Sequence, residues 1–412
     1  MYHKNGGETK TETYGGDTKE IETETPKDNP LTITSGGNAN IRPLFGNVMK
    51  FLIQHVKFAN SEALRKKVRE CFYAETQEEY DGKQETIKLK YRNPNEWDVS
   101  KVTDMSDLFS NCRYFNEDIS DWDVSNVTSM KGMFNNARSF NQPLNEWNVS
   151  NVTNMGKMFS SAWSFNQPFY NNWDVSNVTD MSSMFEDATY FNQSLESWNV
   201  SNVTDMRSMF KVATSFNQPL WNWNVSNVTN MGKMFSSATS FNQPFYNNWN
   251  VSNVTDMSSM FEYATSFNQS LENWDVSNVT NMESMFYEAD SFNQPLNNWN
   301  VGNVTNMSRM FKMARYFNQS LENWVVSNVT NMTGMFWNAT SFNQPLNNWN
   351  VGNVTNMSRM FKMATSFNQP LNNWDMSNVL NVKEMFKNAT SFNQPLEDYW
   401  DVSNILDFGW IY

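Results

Sequence analysis

The chain has 412 residues, a net charge of −13 and aromatic side chains at 15% of its length. That acidity argues against a nucleic-acid backbone or an anionic membrane as partner, because both reward an excess of Lys and Arg. The longest apolar runs are a few residues, so no membrane-spanning helix is expected, and two cysteines, Cys71 and Cys112, are too few for a disulfide framework.

Residues 1–40 are rich in Thr, Glu, Lys, Gly and Asp and nearly lack bulky apolar residues. Such a composition cannot offset chain entropy, which predicts a disordered tail. This tail also lacks the apolar segment of a secretory leader, so the sequence points to a cytoplasmic or virion-associated product, with surface display requiring another route. Residues 41–96 read as a helical N-terminal cap. Pro43 opens a run carrying Leu44, Val48, Phe51, Leu52 and Val56. Ser61 caps a second helix with Leu64, Val68 and Phe72 on one face, and Glu85 to Tyr91 alternate like a short strand.

From residue 97 a single pattern takes over. Trp recurs at 97, 122, 147, 173, 198, 223, 249, 274, 299, 324, 349, 374 and 400, in steps of 25 or 26 residues, which gives twelve repeats over 97–399. Some longer steps carry one extra residue before the Trp, as in Phe169 to Trp173 and Phe245 to Trp249. Within one unit, Trp299 and Val301 alternate with Asn300 and Gly302, as in a half-buried strand. Asn306 follows as a helix N-cap. Met307, Met310, Phe311 and Ala314 then fall at i, i+3, i+4 and i+7, the apolar stripe of a two-turn helix. Phe317 and the loop leucine Leu296 close the circuit. The expected fold is an α/β repeat solenoid: coils of one short parallel strand and one short helix, with core columns at Trp299, Val301, Met307, Met310, Phe311 and Phe317. The loop asparagines (Asn141, Asn166, Asn192, Asn217 and onward) read as a buried ladder that satisfies backbone groups. Residues 400–412 form a partial last repeat or C-terminal cap, with Phe408, Trp410, Ile411 and Tyr412 breaking the pattern.

The unit WDVSNVTDMSSMF…ATSFNQPLNNW resembles the BspA-like leucine-rich-repeat proteins, known from bacterial surfaces, mycoplasma lipoproteins, protists and large DNA viruses. The resemblance extends from Trp97 to Tyr412, and the helix SEALRKKVRECFYA, Ser61 to Ala74, is similar to the one that precedes the first unit in that family. It implies a solenoid used for adhesion or protein contact, without enzymatic activity.

The chemistry carried by the residues agrees with that expectation. His3 and His55 are the two histidines, and no triad or zinc cluster can be assembled from them. No phosphate-binding glycine pattern occurs. No catalytic, cofactor or metal site is therefore expected, and the chain reads as a non-enzyme. The residue after each Trp should face outward. This column includes Asn199, Asn224, Asn250, Asp275 and Asn300 and is the candidate partner-contact face, with a protein as the expected partner. Its asparagines separate the carboxylates, which would repel if stacked, and no calcium loop is present. Ten Asn-Val-Thr triplets match glycosylation sequons but recur where the repeat itself requires them. Tyr170, Trp221 and Tyr246 leave an oligosaccharide as a second candidate ligand. A structural layer of a giant virus particle is the alternative function.

This register makes a direct prediction. Deleting the 25 residues from Trp299 to Asn323 restores every column and should leave a cooperatively folding protein. Deleting about half that number puts Trp and Phe columns against loops and should abolish the cooperative melt. Equal thermal stability of the two deletions contradicts the register.

Overall fold

The computed structural model describes residues 56–91, 93–170, 173–246, 249–396, 399–407 and 409. The chain divides into two compact units, Met1–Gln54 and His55–Tyr412, and only the second lies among the described residues. The expected tail, the Pro43 helix, both histidines and the aromatic C-terminus (Phe408, Trp410, Ile411, Tyr412) fall outside them.

Two helices open the described chain: α1, Ser61–Phe72, and α2, Gln77–Lys90. The N-cap of α1 is Asn60, whose side chain accepts from the Ala63 N–H. Ser61 is instead the first helical residue, and its hydroxyl accepts from the Asp104 N–H at 3.2 Å. Leu64, Val68, Cys71 and Phe72 face inward. Phe72 lies 5.9 Å from the Trp97 ring and 4.8 Å from that of Phe115, so α1 covers the first coil's core. Arg65 fixes the docking through Asp104 at 2.8 Å.

The strand expected over Glu85 to Tyr91 is not formed, because α2 runs through it to Lys90. Its cause lies upstream. Thr76 accepts from the Glu79 N–H, Glu79 accepts from the Glu75 N–H, and Glu78 and Glu79 place negative charge in the first turn. That start signal outweighs a brief alternation downstream.

Beyond Pro94–Glu96, a single 3₁₀ turn, the chain winds into coils that stack one residue position on its equivalent. Parallel bridges join Asp104, Ser129, Asn154, Asp180 and so on to Asn381 and Asp407, each residue pairing with its counterpart one repeat away. Neither the strand nor the helix expected in each coil is present. The described repeat residues contain no extended strand beyond these bridges and no helix beyond α1, α2 and the 3₁₀ turn.

The helix is replaced by consecutive reverse turns, and its backbone donors show why. In the unit from Trp299, the N–H groups of Met310, Lys312 and Ala314 bond three residues back, to Met307, Arg309 and Phe311. Those of Met307, Arg309, Phe311 and Met313 bond instead to Asn331, Thr333, Met335 and Trp337 of the next coil, at 2.7–3.1 Å. Ser308 donates to the Asn306 side chain at 3.0 Å. Every N–H from Met307 to Ala314 is thereby satisfied, whereas a two-turn helix leaves four donors without an internal partner. The geometry requires a left-handed residue twice per coil: Arg309 at φ 58° and Met313 at 59°, with equivalents from Asp107 to Asn388, and glycine at Gly132 and Gly334.

The strand is pre-empted in the same way. The Asn300 side-chain Oδ1 accepts from Gly302 N–H at 3.2 Å, removing that donor from any ladder. Val304 N–H turns back to Val301 at 3.0 Å. Side chains bridge the coils here: Asn303 Nδ2 donates to the Ser277 carbonyl at 2.7 Å, as the other sequon-like asparagines do one coil back. The Asn-Val-Thr asparagine is thus a structural bridge.

The column assignments are met by burial. Trp299, Val301, Met307, Met310, Phe311 and Phe317 are all at most 2% exposed. Trp299 stacks on Trp324 at 6.4 Å and 1°, Phe311 on Phe336 at 5.7 Å and 4°, and Phe317 on Phe342 at 6.0 Å and 5°. The loop asparagines form a half-buried ladder in which Asn293 Oδ1 accepts from both Asn318 N–H and Gln319 Nε2, at 2.9 and 3.1 Å. Cys71 and Cys112 are free and buried, and burial pushes their thiols up to about 11 and about 12.

Left-handed backbone costs a residue with a Cβ about 1–2 kcal/mol, and β-branching worsens it. Val212, at φ 60°, is the β-branched residue among these sites, where other coils have Asn111, Asn136, Asn338 and Asn388. Val212→Asn should therefore stabilise the protein by about 1 kcal/mol in a denaturant melt. A loss of stability would show that the Val212 side chain contributes more than its backbone costs.

Candidate functional site

The residues expected to form a contact face make a column. Asn199, Asn224, Asn250, Asp275 and Asn300 are exposed at the same position of successive coils, each flanked by buried Trp and Val. The sequence places them facing outward, and each is partly engaged. Its Oδ1 accepts from the N–H two residues on, at 3.0–3.2 Å in all five. At Asp275 the Ser277 hydroxyl and N–H hold the carboxyl below its ordinary value. What remains outward is one amide NH₂ per Asn and one carboxylate oxygen per Asp. Val325 occupies the column in the next coil and is 59% exposed, an apolar interruption.

Two grooves lie at one edge of this column. One, of about 500 Å³, is lined by Phe245, Tyr246, Trp249, Trp274, Gln269 and Asp275 among others. The second, of about 610 Å³, carries the equivalent Phe169, Tyr170 and Gln193, 76 residues earlier. Both sit where a repeat has 26 residues and the loop reads Phe-Tyr in place of Leu. In ordinary coils the loop leucine does two things. Leu296 is buried, and its carbonyl accepts from both Trp299 N–H and Trp324 Nε1. In the longer coils those tasks separate. Phe245 joins the core, 4.3 Å from Trp249 and 5.3 Å from Trp274, while the Tyr246 carbonyl takes the Trp249 N–H. The tyrosine ring is displaced outward, leaving Tyr246 59% and Tyr170 61% exposed. The extra residue is visible in the sequence; the groove it opens is not.

On the turn side, Trp337 is surrounded by cations, with Lys312, Lys362 and Arg359 at 4.2, 5.0 and 5.6 Å from its ring centre. Glu384 accepts from Lys362, Lys387 and Arg359 at 2.7, 2.8 and 3.1 Å. These contacts draw its carboxyl down to about 2. Among the described residues no group of three or more His, Cys, Asp and Glu could hold a metal ion, and no helix is long and apolar enough to cross a membrane.

A depressed carboxyl favours the folded state above its unfolded value, and that stabilisation fades as pH falls through the folded value. Glu384 should therefore remain ionised at pH 3, where ordinary glutamates are protonated, and its carboxyl carbon should titrate near pH 2 by NMR. A midpoint near the ordinary 4.5 would show that the three cations do not hold it.

No curated protein matches this chain. Among solved structures, one described as plant peptide hormone receptor RGFR1 in complex with RGF2 aligns over 76% of this chain and 82% of that one. Its identity is 7% and its TM-score 0.16, too low to carry a structural argument. A family model does match, in four tandem segments at residues 75–172, 169–247, 243–340 and 317–411. These segments span α2 and nearly all the coils, so the chain belongs to the family described as Mycoplasma protein of unknown function, DUF285.

Proposed function

We propose that this protein is a non-enzymatic, BspA-like scaffold whose leucine-rich-repeat-type solenoid presents one extended face to a protein partner. The observation that carries this reading is the outward column. Over five successive coils Asn199, Asn224, Asn250 and Asn300 each place a partly free amide NH₂ outward and Asp275 a carboxylate oxygen. A contact made once can be made again on the next coil, so weak contacts add along the array. The column is also stiff. Each side chain is oriented by a bond to its own backbone, which lowers the ordering cost of binding. The net charge of −13 favours a partner surface with basic residues, and the outward amide NH₂ groups favour one that also presents hydrogen-bond acceptors.

Replacing all five column residues with Ala tests the reading. Each substitution removes one side-chain-to-backbone bond, worth about 0.5–1.5 kcal/mol locally, while the buried columns hold the stack together. In affinity capture from native lysate or purified particles, the wild-type chain should retain a protein that the variant loses, with circular dichroism unchanged. An identical captured set for both proteins shows that the column is not the contact surface.

A further inference from the structure

We propose that the two grooves at the 26-residue coils are binding subsites for a neutral oligosaccharide, an inference that goes beyond the protein contact proposed for the column. It begins from an imbalance in hydrogen bonding. Through most of the array the buried Trp Nε1 donates to a loop carbonyl one coil back, as Trp299 does to Leu271 and Trp324 to Leu296, both at 2.9 Å. Trp198 and Trp274 do not: their Nε1 groups donate to no described residue, although the side chains are only 3% and 6% exposed. They are the tryptophans one coil beyond the Phe169-Tyr170 and Phe245-Tyr246 loops, where the leucine's tasks are divided. Neither Nε1 is among the fully buried unpartnered atoms of the described residues, so water reaches both, and a ligand acceptor could take that water's place. Trp274 lines its groove directly.

The rest of the lining fits a sugar better than a purely apolar molecule. A pyranose ring offers an apolar C–H face and a rim of hydroxyls that each donate and accept. In the groove, Tyr246 provides an exposed ring, steadied by Trp221 at 5.6 Å. Gln269, whose Nε2 donates to the backbone and side-chain oxygens of Asn242, offers its amide oxygen as an acceptor, and Asp275 a carboxylate oxygen. Trp221 is itself held by Glu196, at 2.8 Å from its Nε1. Asp275, Glu196 and the acidity of the whole chain oppose an anionic glycan, so the ligand is neutral. The two grooves lie three coils apart, about 14 Å along the stack at the usual inter-strand spacing, close enough for one oligosaccharide to engage both.

The test titrates the full chain with a panel of neutral hexaoses (cello-, malto-, laminari-, xylo- and chitohexaose), following tryptophan fluorescence and calorimetry. At least one should bind saturably at millimolar concentration or below. Tyr170→Ala with Tyr246→Ala should weaken it roughly tenfold or more. Tyr246→Ala alone should remove the half of the response that belongs to its groove. Both tyrosines are exposed, so an unchanged circular dichroism spectrum certifies the fold. The inference is overturned if no hexaose binds at millimolar concentration, or if the double variant binds as wild type. The tyrosine variants leave the polar column intact, so either failure is distinct from failure of the protein contact.

Discussion

Backbone donors in a repeat this short have too few partners within their own coil, and the architecture follows from where they go. Between Met307 and Ala314, alternate N–H groups turn back three residues or cross to the next coil. A coil is consequently not a folding unit by itself: four donors of this stretch alone are satisfied only by a neighbour. The crossing bonds demand left-handed residues at fixed positions, and most coils meet that demand with ordinary side chains, from Lys157 to Tyr263. Conformational strain is accepted because the alternative is buried unpaired amides, which cost more. Aromatic stacking depends on the same register, since it is the crossing bonds that place Phe311 over Phe336 and Trp299 over Trp324.

Much of this was legible in the sequence, though as burial and not as secondary structure. The spacing of Met307, Met310, Phe311 and Ala314 correctly marks four buried positions, yet a chain of turns with two left-handed residues buries the same spacing as a helix. Periodicity reports which side chains face inward; it cannot report whether an N–H bonds along the chain or across it. Asn300 shows the same limit. Its outward direction could be read from alternation, whereas its bond to Gly302 depends on a turn that only the folded chain displays. The start of α2 was available in Thr76 and Glu79, a capping signal masked by the alternation that follows.

The function proposed for the column and the ligand proposed for the grooves have a common origin. A stack of near-identical coils presents a uniform face, suited to contacts that repeat. Specific recognition requires a break in that uniformity, and a single inserted residue supplies it twice. At Phe169-Tyr170 and Phe245-Tyr246 the extra residue moves one ring inward and one outward, and the next coil's indole N–H, of Trp198 or Trp274, does not meet the usual carbonyl. The repeat thus provides the frame, and departures from the repeat provide the chemistry.

The claim that alternate amides bond across coils is tested most directly by residue-resolved hydrogen exchange of the intact chain. If it is right, the N–H groups of Met307, Arg309, Phe311 and Met313 exchange as slowly as those of Met310 and Ala314, since both sets are bonded. Fast exchange at Met307 and Arg309 beside slow exchange at Phe311 and Met313 is the signature of a short helix with a free first turn. That result would contradict the account.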